Sequence, residues 1–454
     1  MEIKLIQKER IQKLNDKTIK NRDYVLYWMQ SSQRAHYNHA LEYSIIKANK
    51  LKKPLLVYFG LTNKFPDANR RHYYFMLEGL KDVKSSLKER NIELIILRES
   101  PEKGAIELSK NACLIIVDAG YLKIERGWRK SVASSINCPL IQVESNVVVP
   151  VETASSKEEY AAFTIRKKIN KIVNKFLLPL KENLPDLNTP NYDFECFEIE
   201  EIKKAVKLLD IDENVKESNY YHGGTYEALK HLKKFLNKKI ERYEEFKNDP
   251  NKDSLSNMSP YLHYGQISPL YIALEVSNSE SPGKNAYLEE LIIRRELSMN
   301  FVFYNSHYDS FDCLPNWAKN TLLEHKKDRR NNIYSLNELE NAETADPYWN
   351  ASQKEMVVTG KMHGYMRMYW GKKIIEWIQD PKEAFEIGIH LNNKYEIDGR
   401  DPNGYTGIAW CFGKHDRAWK EREIFGKVRY MNSNGLRRKF DVDRYVKKVN
   451  NLKP

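Results

Sequence analysis

The chain has 454 residues, with 74 Lys and Arg against 62 Asp and Glu, and a formal net charge of +12. Its length suggests two or three domains of roughly 100–200 residues each. No apolar run approaches the ~20 residues of a membrane span, and the opening residues lack a signal-peptide apolar core, so a soluble cytoplasmic protein is expected, nucleoid-associated in a prokaryote. Cys113, Cys138, Cys196, Cys313 and Cys411 are scattered, without CxxC or Cys/His zinc spacing, which argues reduced structural thiols and no metal centre. The basic excess suits a polyanionic partner, and 8 Trp and 28 Tyr, many near Arg and Lys in the C-terminal half, suit a site for unstacked bases.

Residues 24–150 alternate apolar strands with helical stretches. Strands are expected at 24–29, 54–59, 93–98, 113–118 and 140–144, and helices near 34–50, 69–90, 102–110 and 124–136. This rhythm predicts a doubly wound parallel sheet, Rossmann-like, over 1–150. No GxGxxG follows the first strand, so a flavin is expected elsewhere. The polar run Gln30-Ser31-Ser32-Gln33-Arg34 ends that strand where ligands usually bind; a helix N-cap by Ser31 or Ser32 is the competing reading. Residues 151–220 read as a connector, with a helix near 157–180, then breakers, then an acidic stretch. From 221 to 454 helical patterns dominate, at 225–247, 268–278, 284–305, 315–328, 352–379 and 382–394, predicting an all-α domain.

Five features of that half carry chemistry. Gly223-Gly224-Thr225 opens a helix, with Thr225 as its expected cap. Ser254, Ser256 and Ser259 before a helix read either as an anion cradle suited to a diphosphate or as a plain Ser-rich loop. In helix 284–305, Glu290 and Arg294 are i,i+4 neighbours on a largely buried helix, where an ion pair is costly without a ligand or partner. Trp370 and Trp377 share one helix face, about 10 Å apart along the axis; such pairs are usually core. The run 391–410 crowds Asn392, Asp398, Asp401 and Asn403 around Gly399, Gly404 and Gly407, and Asp-Pro-Asn-Gly within it reads as a turn. Arg422, Lys427, Arg429, Arg437, Arg438 and Lys439 follow in a tail suited to phosphates, with ordinary solvation as the competing reading.

Four segments are similar, in order, to the class II cyclobutane pyrimidine dimer photolyases of the photolyase/cryptochrome family. They are the segment from Tyr27, the Gly223-Gly224 entry, the run from Ser254 through Ser259-Pro260-Tyr261-Leu262 to Gly265, Ile267 and Ser268, and the run 391–410. The resemblance spans about 24–440. It implies an antenna-type α/β domain joined to a helical FAD domain, and light-driven repair of UV-damaged DNA by a monomer. Reduced FAD, excited by near-UV or blue light, would donate an electron to a flipped-out dimer, whose ring opens before the electron returns. The antenna chromophore, an 8-hydroxy-5-deazaflavin, a folate or none, stays open.

By the same resemblance, flavin contacts fall on Tyr243, Ser254, Leu255, Ser256, Ser259, Arg294, Arg367, Asn392, Asp398, Asp401 and Asn403. Asp398 would pair with Arg367. Asn392, or alternatively Asn403, would hydrogen-bond flavin N5. Glu290, Met368 and Trp410 would meet the lesion, with Ile293 standing where class I members have a tryptophan. Trp370 (nearest the flavin), Trp349 (middle) and Trp377 (outermost) would relay electrons from the surface, and Arg422, Lys427, Arg429, Arg437 and Arg438 would bind DNA. A (6-4) photolyase is the first alternative; it would need paired histidines, and His263 and His363 form no evident pair. A cryptochrome-like photosensor and a flavin-free DNA-binding protein, which would be colourless, are the others.

Overall fold

Alternate residues of one apolar run feed two cores. Val25 and Tyr27 pack on one face of the sheet, and Tyr24, Leu26 and Trp28 on the other, so the strand is buried on both sides. The structure, a computed structural model, describes residues 6–190 and 192–453. Its sheet comprises β1 (Ile11–Lys13), β2 (Tyr24–Trp28), β3 (Leu55–Gly60), β4 (Glu93–Leu97), β5 (Ala112–Asp118) and β6 (Leu140–Val143), in the order β1-β6-β5-β2-β3-β4. The five expected strands are parallel, and β1, which the sequence reading missed, adds an antiparallel edge against β6. The order reverses between β2 and β5, where a doubly wound sheet opens its ligand crevice.

Neither Ser31 nor Ser32 caps the first helix. The backbone N–H groups of Gln30, Ser31 and Ser32 all donate to Asp118 at the end of β5, and Asn38 caps His39–Leu51 instead. Thr225 is also not a cap: Gly224, at φ +119°, holds that position, and the Thr225 hydroxyl donates to Gln266 O. The segment after 150 divides its packing. Helix Ala162–Phe176 buries Ile165 and Ile169 among the C-terminal helices, whereas Phe197, Ile199 and Ala205 lie against the sheet's core, with Phe197 N–H bonded to Ile96 O at the β4 edge.

The C-terminal half is helical, with three departures from the expected boundaries. The 352–379 stretch is two helices, Pro347–Thr359 and Gly364–Trp377, broken at Gly360 in the left-handed region at φ +81°. The 284–305 stretch contains a π-helical turn, Glu289–Arg294. Asp401-Pro402-Asn403-Gly404 is a helix start rather than a turn: Asp401 accepts the Asn403 N–H as N-cap, Pro402 takes N1, and the helix runs Pro402–Cys411. Arg71, on helix Arg70–Lys88, fixes the two halves together. Its guanidinium donates to the terminal carbonyls of Met356, Val357 and Tyr395, a cation where two helix dipoles end negative.

Candidate functional site

The Gly360 break builds the floor of the site. It sends Lys361 and Met362 across as non-helical chain, and His363 then caps the next helix by accepting the Tyr365 N–H at 3.2 Å. Burial first, then nearby Lys448, Lys361 and Arg367, push the His363 pKa down to about 3, so its ring stays a neutral acceptor. Arg367 rises from the first turn of that helix. Asn392 comes from the last turn of Pro381–Tyr395, and Glu396 and Asp398 from the segment beyond it.

These groups meet. Arg367 lies 3.0 Å from Glu396 Oε1 and 3.9 Å from Asp398 Oδ1, and Lys361 Nζ lies 3.9 Å from Asp398 Oδ2 while donating to Ser259 Oγ. The expected Asp398–Arg367 pair is therefore the longer contact; Arg367's nearer partner is Glu396. Burial raises the Asp398 pKa, but Lys361, Arg367 and hydrogen bonds with Ser259 and Glu396 outweigh it and hold that carboxyl far below its usual value.

Several buried polar atoms here have no hydrogen-bond partner: both amide atoms of Asn392, Asp398 Oδ1, Arg367 Nε and Ser254 Oγ. Buried polar groups are almost always satisfied. The orphan Arg367 Nε, in the patch of charge formed with Glu396, Asp398 and Lys361, points to a polar guest, and Asn392 and Ser254 carry orphans on their own segments. The donor set, a Ser-rich loop, two cations and a free amide, fits an anionic, hydrogen-bonding guest such as a flavin dinucleotide. Asn403 is committed elsewhere: its Nδ2 donates to Asp401 Oδ1 at 2.9 Å. Tyr243 is buried edge-on against Phe235 and Tyr287, Ser256 Oγ accepts from the Tyr287 hydroxyl, and Leu255 O accepts from Lys239 Nζ.

Two of the expected flavin contacts lie away from this cradle. A π-helical turn advances the side-chain register by one residue, so Arg294 meets Glu289 (3.4 Å) rather than Glu290, and it is exposed. Glu290 is left to Lys247 at 2.8 Å, with 43% of its side chain exposed. Asp401 pairs with His263 at 3.1 Å and lines a different cavity. Met368 and Trp410 are both half-buried, on the helices that carry Arg367 and follow Asp401.

The three tryptophans form a continuous stack. Trp349 reaches in from helix Pro347–Thr359 and lies 6.1 Å from Trp370 with ring planes 7° apart, and 5.4 Å from Trp377 edge-on. Its Nε1 donates to Trp370 O at 3.0 Å, and Trp370 Nε1 donates to Gln353 Oε1 at 2.9 Å. Trp377 is not at the surface. It is 2% exposed, and half-buried Tyr334 covers it at 5.0 Å.

An open cleft of about 120 Å³ lies at the carboxyl ends of β2 and β5. Gln30, Ser31, Phe59, Gly120 and Trp128 line it from the sheet, and His263, Arg295 and Asp401 from the helical half. The basic residues separate into two groups. Arg422 stacks on Tyr430 (3.3 Å) and Arg429 on Trp419 (5.2 Å) in a tight loop where Trp419 N–H bonds Lys427 O. Lys427 lies 3.7 Å from Glu421. Arg437 instead donates to the Tyr348 hydroxyl, and Arg438 to Asn434 O.

Sequence reading missed Lys361, Glu396 and Lys247. Glu396 lies two residues from Asp398 within the run already singled out, but a lone Glu at a helix end reads as solvated. Its burial comes from distant segments, among them Met362, whose N–H it accepts, and Arg367.

The fold is that of the photolyases and cryptochromes. A bacterial class III photolyase from Agrobacterium tumefaciens superposes with a TM-score of 0.72 at 17% identity, over 95% of this chain and 87% of that one. An archaeal photolyase from Sulfolobus tokodaii, solved with two FAD molecules, gives 0.71 at 14% identity, over 94% and 88%. Residues 25–188 match the DNA photolyase family. A deoxyribodipyrimidine photo-lyase from Methanothermobacter thermautotrophicus is 54% identical over 99% of each chain. This chain belongs to the DNA photolyase family.

Proposed function

We propose that this protein is a deoxyribodipyrimidine photo-lyase, a light-driven enzyme that splits cyclobutane pyrimidine dimers in UV-damaged DNA and holds FAD in the orphan-lined cradle. The observation that carries the reading is the pairing of that cradle with the stacked tryptophans, Trp370 standing three residues from Arg367 on one helix. The 54%-identical relative bearing that name supports it. Bound reduced FAD would supply the light-excited electron that opens the dimer ring.

The chain's own residues do the rest. Arg367 and Lys361 offset negative charge in the cradle, and Asn392 offers an amide to the ring edge. Glu290, held by Lys247 at the mouth, reaches a carbonyl of an extruded dimer, while Met368 and Trp410 give it apolar and flat surfaces. Arg422 and Arg429, braced on aromatic faces, contact phosphates or fill the gap left by base extrusion. Trp377, Trp349 and Trp370 pass electrons inward to keep the flavin reduced.

The cleft at the sheet's switch point suits a second, flat aromatic chromophore of the deazaflavin or folate type. A (6-4) photolyase is disfavoured, because His363 is a helix cap and His263 is turned to Asp401 in the other cavity. The test is ultraviolet absorbance recovery of UV-damaged oligothymidine with photoreduced protein, in blue light and in darkness. Recovery in light alone, largely lost in Glu290→Ala, is expected. Yellow, reducible protein without recovery would overturn the repair reading in favour of a photosensor.

A further inference from the structure

We propose that Glu396 and Asp398 share a single proton, held chiefly on Glu396, and that this dyad sets the charge of the cradle wall. It goes beyond the repair reading, resting only on the cradle. Glu396 has no exposed side-chain surface. Its Oε1 is fully used, accepting the Met362 N–H at 3.0 Å and facing Arg367 at 3.0 Å. Its Oε2 and Asp398 Oδ1 are both buried without a donor. The two carboxyls also stand on one guanidinium nitrogen, Arg367 Nη2, at 3.0 Å for Glu396 and 3.9 Å for Asp398. Two ionised carboxylates can only accept; one proton between them supplies the missing donor and removes a buried like-charge repulsion.

The surroundings favour Glu396 as the proton's holder. Asp398 is closed in by Lys361, Arg367 and Ser259, which favour its ionised form. From the other elements, Arg71 on the N-terminal half and the neutral phenols Tyr221 and Tyr445, the latter bonded to Glu355, act on Glu396 through space, and His72 Nε2 lies 3.0 Å from its backbone carbonyl. Burial is the largest influence on Glu396 and pushes it up to about 8. With Glu396 neutral, Lys361 and Arg367 stand against Asp398 alone, two cations against one anion. Such a wall is poised to receive a guest that carries negative charge, and Glu396 is a positioning residue that keeps Arg367 in place without cancelling it.

The test is infrared spectroscopy of the purified protein carrying carbon-13 glutamate. A protonated-carboxyl band shifted by the label, lost in Glu396→Gln, and titrating away only well above the ordinary carboxylate range is expected. In Asp398→Asn the anion beside Glu396 is gone, so the midpoint moves to lower pH. Should Glu396→Gln not fold, that movement decides the matter. No labelled band at neutral pH, a band that survives Glu396→Gln, or a midpoint unmoved in Asp398→Asn overturns the proposal. The readout needs neither light nor a lesion, so a protein without repair activity would still show the dyad.

Discussion

Trp349→Phe separates electron supply from repair. Trp349 is fully buried and bridges two rings whose centres lie 6.1 and 5.4 Å away. Phenylalanine keeps a ring in the slot but loses the Nε1 bond to Trp370 O and leaves a small void. Those losses should cost about 1–3 kcal/mol, lowering the melting temperature by a few degrees without unfolding the chain. The electronic effect is much larger. Phenylalanine is far harder to oxidise than tryptophan, so the path must jump from Trp377 to Trp370, about 10 Å apart along their helix, in place of two short steps. Tunnelling falls exponentially with gap, so light-driven reduction of bound flavin should slow by more than an order of magnitude. Protein reduced chemically with dithionite should repair dimers at the unmutated rate, because the dimer receives its electron from the flavin. The assay follows flavin absorbance under blue light with an external thiol, then repair by each reduced protein. Photoreduction at the unmutated rate, or an equal loss of repair after chemical reduction, would refute the relay.

Asn392→Ala should weaken flavin retention and shift the flavin potential, yet leave flavin-free protein as stable or up to about 1–3 kcal/mol more so, since it removes two buried orphans; thermal melts with and without FAD check both halves. Glu296, buried among the N–H groups of Val148 and Val149, is pushed by burial to about 8. Its folded pKa lies above its unfolded one, so its contribution is full in acid and is lost as pH rises from about 4.5 through about 8. Glu296→Gln should flatten that decline by roughly a few kcal/mol, read from urea melts across the window. Arg429→Ala should weaken binding of damaged and undamaged DNA together and reduce the salt slope by about 1, measured by fluorescence anisotropy. Gly360→Ala should destabilise the cradle, because φ is +81° and an added Cβ would meet Ile397 Cγ1 at 2.7 Å; lost flavin retention would show it.

Much of the fold was legible because burial on both faces leaves a local signature. The apolar runs of β2 to β6 needed no tertiary information, and their spacing by helices implied a parallel sheet. β1 was not legible, because an edge strand of three residues, Gln12 and Lys13 of them exposed, carries no such signal. The run 391–410 announced a site by composition, and Trp370 and Trp377 shared a face by helical arithmetic alone. What the sequence could not decide is which polar groups end up without partners. Asn392 and Asn403 are alike in sequence; Asp401 satisfies one amide, and the fold leaves the other bare. A π-turn moved Arg294 off Glu290, a shift of one residue invisible to a period of 3.6. Glu396 became buried beside Asp398 because distant segments, among them Met362 and Arg367, close over it, and Trp349 entered the stack from a separate helix. Local sequence determines which residues can share a helix face or strand side; only chain crossings between distant segments decide what is desolvated, and desolvation is what turns an ordinary carboxylate, amide or indole into part of a site.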